Sequence, residues 1–269
     1  IKELNDIGMV VASQTDNLVP LDKVVYALRD VSGTTESIPL IAVSIMSKKI
    51  ASGADKILID IKVGKGALLK TMKDARNLKD IMIRIGARYN KEVRCLISEM
   101  DNPLGMCVGN SLEVAEAVEL LDGKVKNNLY DLCVDIASNM VSMALGCSMI
   151  KARKAVIDSI ESKKAYNKLL EFVNYQHGNL DKMKISKSKI EVQSSRSGVV
   201  KSIDAHKISE ISCLLGSGKM KKDDVIDHEV GVFLNKLVGD KVERGDVICT
   251  IYCNKIKKDF GIENAYVIE

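Results

Sequence analysis

Three side chains in the first fifth of the chain could grip one ligand. Ser44 and Lys48 are four residues apart, and Arg29 lies one short loop upstream. On a helix an i, i+4 pair stands one above the other on the same face, so the serine hydroxyl and the lysine ammonium converge. Arg29 adds a planar fork of N–H donors. Its neighbour Asp30 is placed to hold that fork and leave the remaining donors free. Two cations and a hydroxyl suit a flat polar ligand such as a pyrimidine ring, whose edge offers two carbonyls flanking an N–H. A lone helix lysine is ordinarily a solvated residue; its neighbours are what single out Lys48.

The elements that must position this set are legible around it. Ser37 is a candidate N-cap with Pro39 in the first turn, where the missing N–H costs nothing. Apolar residues at 38, 41, 45 and 46 give the following helix a buried stripe up to about Ile50. Val24–Arg29 reads as a short helix, and Met9–Ala12 as a short strand with Gln14, Thr15, Asp16 and Asn17 as its turn. Residues 56–63 (KILIDIKV) predict a buried strand ending in a Gly64-Lys65-Gly66 turn, 71–89 an amphipathic helix, and 92–98 the next strand. Strand, turn, helix, strand is a βαβ unit and implies a parallel pair. A Pro-Leu-Gly turn at 103–105 leads into a helix over about 111–121, with further helices near 128–145, 149–162 and 164–175. After His177 the texture changes. A basic, nearly non-periodic stretch (181–189) gives way to short strand-like runs divided by glycines and aspartates, with one helix near 206–215.

Composition narrows the function classes. The chain has 269 residues, 46% of them hydrophobic and 28% charged, enough for a sizeable core and more than one average domain. A formal charge of +4, dispersed lysines and 4% aromatic residues argue against the stacking platforms of nucleic-acid binders. No apolar run approaches the roughly 18 residues that span a bilayer, and no charged-then-apolar leader opens the sequence. Seven scattered cysteines with no C-x-x-C, and only three histidines, predict buried free thiols in a reducing cytoplasm rather than zinc or disulfides. The opening IKELNDIG lacks an initiator methionine and reads as the last turns of a helix ending at Gly8, so a fragment is expected.

Two tempting motifs fail. Gly216-Ser217-Gly218-Lys219 looks like the end of a phosphate-binding P-loop, but Cys213 stands where its first glycine belongs and Met220 where Ser or Thr is required. VGDKVERGD (238–246) is similar to the barrel edge of lipoyl- and biotinyl-type carriers, but no lysine sits in a matching hairpin.

The longer blocks carry a resemblance. YALRDVSGTTESIPLIAVSIMSKK (26–49) with DIKVGKGA (60–67), ISEMDNPLGMCVGNSLEVAEAVELL (97–121), SGVVKSIDAHKI (197–208), LLGSGKMKKDDVIDHEVGVFLNKLVGDKVERGD (214–246) and TIY (250–252) resemble, almost collinearly, the pyrimidine-nucleoside phosphorylases, which include thymidine phosphorylase. The resemblance implies an α/β fold with three parts: part of an all-α domain, an α/β domain with a central mixed sheet, and a C-terminal β-rich, barrel-sandwich-like subdomain. Residues 1–182 would be the nucleoside phosphorylase domain, with 21–51 belonging to the α (dimer) domain, and 183–269 the C-terminal domain.

It implies phosphorolysis of thymidine, deoxyuridine or uridine to a free base and a (deoxy)ribose 1-phosphate. Phosphate would be the co-substrate, and the protein would be a cytoplasmic homodimer with no nucleic-acid or membrane partner. Arg29, Ser44 and Lys48 match the family's base-binding residues. Leu104 and Cys107, through their carbonyls, and Glu116 match positions that hold a potassium or calcium ion in some members, Cys107 standing in place of the usual alanine. Ser32-Gly33 replaces Thr-Ala, and Lys65 and Leu68 replace commoner Ser or Ala and Phe, without removing a ligand group. The family's phosphate loop and catalytic histidine would lie before Ile1, so no catalytic residue is expected in this chain, and residues 1–269 alone are expected to give no turnover. The rival readings are a non-catalytic fragment or binding subunit of the same fold, or a phosphoribosyltransferase-type relative.

Overall fold

A computed structural model describes residues 1–11, 15, 17–221, 223–255 and 258–269, with the side chains of Asp30 and Val31 outside the description. In chain order the elements are α1 (Lys2–Ile7), α2 (Pro20–Ser32), α3 (Ile38–Ala51), β1 (Lys56–Val63), α4 (Met72–Arg88), β2 (Glu92–Glu99), β3 (Cys107–Val108), α5 (Asn110–Leu121) and α6 (Asn128–Leu145). They continue with α7 (Met149–Glu161), α8 (Lys164–Tyr175), β4 (Lys189–Gln193), β5 (Gly198–Ile203), α9 (Ala205–Leu215), β6 (Gly231–Leu234), β7 (Lys241–Val242), β8 (Val247–Tyr252) and β9 (Tyr266–Ile268). The protein is therefore α/β, and its contacts divide it into two compact units. One comprises 8–99 and 134–156; the other comprises 1–7, 100–133 and 157–269.

The first unit is built on β1–α4–β2. The two strands pair in parallel from Lys56↔Glu92 to Val63↔Glu99 without a register shift. Alternation in β1 sends Ile57, Ile61 and Val63 into the core and leaves Asp60 and Lys62 on the opposite face. α4 starts where Thr71 Oγ1 accepts the Asp74 N–H at 3.1 Å, and it buries Ala75, Leu78, Met82 and Gly86 at helical spacing. α3 starts at Ser37 in extended conformation, with Pro39 in its first turn, and buries Ile41, Ala42 and Met46 against the same core. Met46 and Met82 are fully buried, so truncating either to alanine would cost about 2–5 kcal/mol. α2 is longer than the short helix expected over 24–29, starting at Pro20 and ending on Gly33 in the left-handed conformation. Residues 9–11 form no strand. Val10 and Val11 are exposed, and without a buried face no strand register is fixed. Ala12 and the turn residues Gln14 and Asp16 lie outside the described residues.

In the second unit two antiparallel sheets, ordered β3-β6-β8-β4 and β7-β5-β9, share a core with α9. Val200, Ile208, Val232, Leu234, Ile248 and Ile251 sit at its centre, each at most 1% exposed. α9 is capped by Asp204, whose Oδ1 accepts the Lys207 N–H, and stops at Gly216 in the left-handed conformation. The strands expected after 183 are present. The first sheet also takes in β3, through Cys107↔Phe233 and Val108↔Val232.

Candidate functional site

The structure brings Ser44 and Lys48 together on α3, as their spacing requires. Lys48 Nζ donates to Ser44 Oγ at 2.9 Å. Both also reach a residue the sequence reading missed: Ser44 Oγ donates to Asp22 Oδ2 at 3.1 Å, and Lys48 forms an ion pair with the same oxygen. The Asp22 and Lys48 side chains keep 10% and 25% of their exposure, so the pair is partly withdrawn from water but still open at the ammonium. An ammonium has three donors; two are engaged, and the third remains for a ligand. Asp22 sits in the first turn of α2, where a carboxylate also meets the positive end of the helix dipole.

Arg29 is 4% exposed and turns to its own loop. Its Nε donates to the Thr34 carbonyl at 3.3 Å and an Nη to that of Thr35 at 2.5 Å, while its guanidinium lies 5.3 Å from the Tyr26 ring centroid. The guanidinium thus ties the end of α2 to the loop entering α3. Among the described residues no hydrogen bond links Arg29 to Ser44 or Lys48. The expected clamp from Asp30 lies outside the described residues.

The second sequence-predicted set is in the other unit. Glu116, matched above to an ion-binding position, is 5% exposed. Its Oε1 accepts the Met106 N–H at 2.7 Å and Asn127 Nδ2 at 2.8 Å, and its Oε2 accepts the Cys107 N–H at 3.1 Å. Asn128 completes the clamp on the 103–107 loop, accepting from Gly105 N at 2.9 Å and donating to the Pro103 carbonyl at 3.2 Å. Glycine is required at 105: a Cβ there would lie 2.6 Å from Glu116 Oε2, and the backbone has φ +78°.

Burial, reinforced by Glu116, Glu113 and Glu119, pushes the Cys107 thiol up to about 12, so it stays protonated and unreactive. Two carbonyls and a carboxylate are the hard oxygen donors that potassium or calcium prefers. Three of the four lone-pair positions on Glu116 are already taken by N–H donors, so it has one to offer an ion, at Oε2. Among the described residues no group of three or more His, Cys, Asp or Glu is arranged to hold a metal. Of the cysteines, Cys95, Cys107, Cys249 and Cys253 are buried, whereas Cys133, Cys147 and Cys213 are only half-buried, contrary to the uniform burial expected.

The chain is similar to known proteins along its length. Residues 1–166 match the glycosyl transferase family a/b domain, and residues 199–265 match the pyrimidine nucleoside phosphorylase C-terminal domain. The chain is 42% identical over 279 aligned positions to a pyrimidine-nucleoside phosphorylase of Staphylococcus epidermidis, covering 100% of this chain and 64% of that protein. It is 41% identical over 273 positions to a pyrimidine-nucleoside phosphorylase of Bacillus subtilis, covering 99% of this chain and 63% of that protein. The chain thus spans slightly less than two thirds of the length of these relatives. No single helix among its described residues is long and apolar enough to cross a membrane.

Proposed function

The chain belongs to the glycosyl transferase family, and within it to the pyrimidine nucleoside phosphorylases; from that membership we propose that it supplies the base-gripping side of a pyrimidine-nucleoside phosphorylase. The reaction is the reversible phosphorolysis of thymidine, deoxyuridine or uridine, with inorganic phosphate as co-substrate. The observation that carries this reading is the Ser44–Lys48 pair on one face of α3, partly shielded and with one ammonium donor unspent.

Phosphate attack at the anomeric carbon leaves the base with the bonding electrons, and negative charge grows on its carbonyl oxygens. The unspent N–H of Lys48, joined by the Ser44 hydroxyl once its proton turns from Asp22, would stabilise that charge more than the neutral base, which is the condition for a rate gain. Removing one such donor costs about 3 kcal/mol of barrier. Asp22 acts on the same groups by holding the ammonium over Ser44 and fixing its direction. Arg29, assigned to the base with them, is oriented by the carbonyls of Thr34 and Thr35 and keeps further N–H donors in its fork.

Other parts of the reading follow the family. The division into a 1–182 phosphorylase domain and a 183–269 C-terminal domain is in keeping with the family matches over 1–166 and 199–265, whereas the assignment of 21–51 to the α domain follows from the family resemblance alone. We assign the C-terminal sheets to a barrel-sandwich and the β1–β2 pair to a larger mixed sheet. A potassium or calcium ion would be held by the Leu104 and Cys107 carbonyls and Oε2 of Glu116, supplying structural charge to that loop. A homodimer is supported by the exposed Leu21, Val24 and Leu28 on α2, and a reducing, cytoplasmic setting by the buried thiols of Cys95, Cys107, Cys249 and Cys253.

Thymine titrated into the protein by calorimetry tests the central point. Lys48→Met and Ser44→Ala are expected to weaken binding at least tenfold, the loss of one charge-assisted hydrogen bond of roughly 1.5–3 kcal/mol. Undiminished thymine binding in Lys48→Met would remove the base-gripping role.

A further inference from the structure

A second polar constellation sits where β1 and β2 end. Asp60, Lys62 and Ser98 share one face of the parallel pair, with Lys62 directly opposite Ser98 in the register. Ser98 Oγ donates to Asp60 Oδ1 at 2.6 Å, Lys62 Nζ donates to Ser98 Oγ at 2.9 Å, and Lys62 Nζ lies 2.6 Å from Asp60 Oδ2. The three side chains close a triangle and, among the described residues, bond only to one another. The Asp60 and Lys62 side chains retain 20% and 28% exposure.

The position matters because ligands of open α/β sheets bind outside the carboxyl ends of their parallel strands. It is marked here by the loop that follows β1. Gly64 N donates to the Leu69 carbonyl and Ala67 N to the Gly64 carbonyl, folding 64–69 into a tight lip that carries Leu68 at 56% exposure. Farther back on the same strands, Lys56 reaches the Met143 carbonyl and Arg94 reaches Asn139, both on α6, so that end is occupied. The triangle is the end left open.

Its chemistry selects the ligand. The set is electrically neutral, so a phosphate dianion would meet the Asp60 carboxylate as readily as the Lys62 ammonium. What remains unspent is one N–H on Lys62, one lone-pair position on each Asp60 oxygen and one on Ser98 Oγ. A hydroxyl group donates and accepts at once, and can satisfy both kinds together. Leu68, exposed on the lip that follows β1, offers apolar surface for a C–H face. The core that seats α3, with Ser44 and Lys48, also seats β1.

We propose that Asp60, Lys62 and Ser98 form the subsite for the pentose hydroxyls of the nucleoside; the nucleoside reading above is used only to identify the sugar. Ribose 1-phosphate, inorganic phosphate and thymine are titrated separately into the chain of residues 1–269 and followed by NMR. Asp60→Asn preserves shape, and Ser98→Ala is a milder change if the first variant unfolds. Ribose 1-phosphate binding is expected to weaken roughly tenfold or more in either variant, the effect of one hydrogen bond to a charged group, with phosphate and thymine binding unchanged. The proposal is overturned if ribose 1-phosphate does not bind the unaltered chain, if the variants bind it normally, or if phosphate binding falls in parallel. A chain that binds ribose 1-phosphate in this way but ignores thymine would sink the base reading and leave this one standing.

Discussion

Glu116 offers the sharpest test of how this chain holds its loops. The carboxylate is 5% exposed and accepts three N–H donors, from Met106, Cys107 and Asn127. Glu116→Gln keeps the shape and removes the charge. The best orientation of the new amide leaves its oxygen with Met106 and Asn127 and turns its NH2 toward the Cys107 N–H, a donor facing a donor. One bond to a charged acceptor is lost, worth about 1.5–3 kcal/mol, and two weaken to neutral bonds worth about 1 kcal/mol each. At the low end of these ranges the loss is about 2.5 kcal/mol, concentrated in the 103–107 loop. Native-state amide exchange reads such local openings. At about 1.4 kcal/mol per tenfold, Met106 and Cys107 should exchange roughly two orders of magnitude faster in the variant. Glu119→Gln, on an exposed position of the same helix, is the control. A rate change at Met106 and Cys107 no larger than the control's would refute the argument that this carboxylate anchors the loop.

Two further outcomes follow from packing and titration. A Cβ on Gly86 of α4 would lie 2.1 Å from Val93 Cγ2, and a β-branched strand residue has little freedom to turn away. Gly86→Ala should therefore destabilise the first unit by about 1–2 kcal/mol, overpacking outweighing the gain in helix propensity. In a Val93→Ala background the cost should shrink, as read from urea unfolding, because only the contacts at 3.1 Å to Cβ of residue 93 and 3.3 Å to the Lys91 carbonyl remain; an undiminished cost would count against the clash. Hydrogen bonds from Ser195, at 2.6 Å to its backbone N–H, hold the Glu263 carboxyl below its ordinary 4.5, with Arg196 adding attraction. Because the folded value is depressed, this stabilisation is present above the unfolded value and is lost as pH falls through the folded one. The acid limb of the urea midpoint below about pH 4.5 should be shallower in Glu263→Gln than in the unaltered chain, and an identical limb would discount the contact.

What was legible in the sequence and what was not separates along contact distance. β1 and α4–α9 could be bounded to within a residue or two because their signals are local: alternation in KILIDIKV, helical spacing of Ala75, Leu78 and Met82, and glycines at the ends. The Ser44–Lys48 pair is likewise local, one helical turn. Asp22 is invisible by the same logic, since it meets Lys48 across 26 residues and nothing in its own neighbourhood announces the partner. β3 escaped because two residues carry no periodicity; only pairing with Val232 and Phe233 makes them a strand. Met9–Val11 shows the reverse error, an apolar run that reads as a strand although Val10 and Val11 stay exposed.

Glu116 combines both cases. Its place on a helix was readable, but its burial depends on loop amides ten residues upstream and on Asn127 eleven residues downstream. A carboxylate already serving three donors can shape the loop by itself, so any ion there shares a site that is organised before it arrives. By contrast, the ammonium of Lys48 and the Asp60–Lys62–Ser98 triangle retain unspent hydrogen-bonding capacity in partly shielded surroundings. Such capacity is costly to leave without either water or a ligand. Glu116, with three N–H donors and one position left at Oε2, is chiefly a loop anchor, whereas the other two sets keep donors and acceptors together for a ligand.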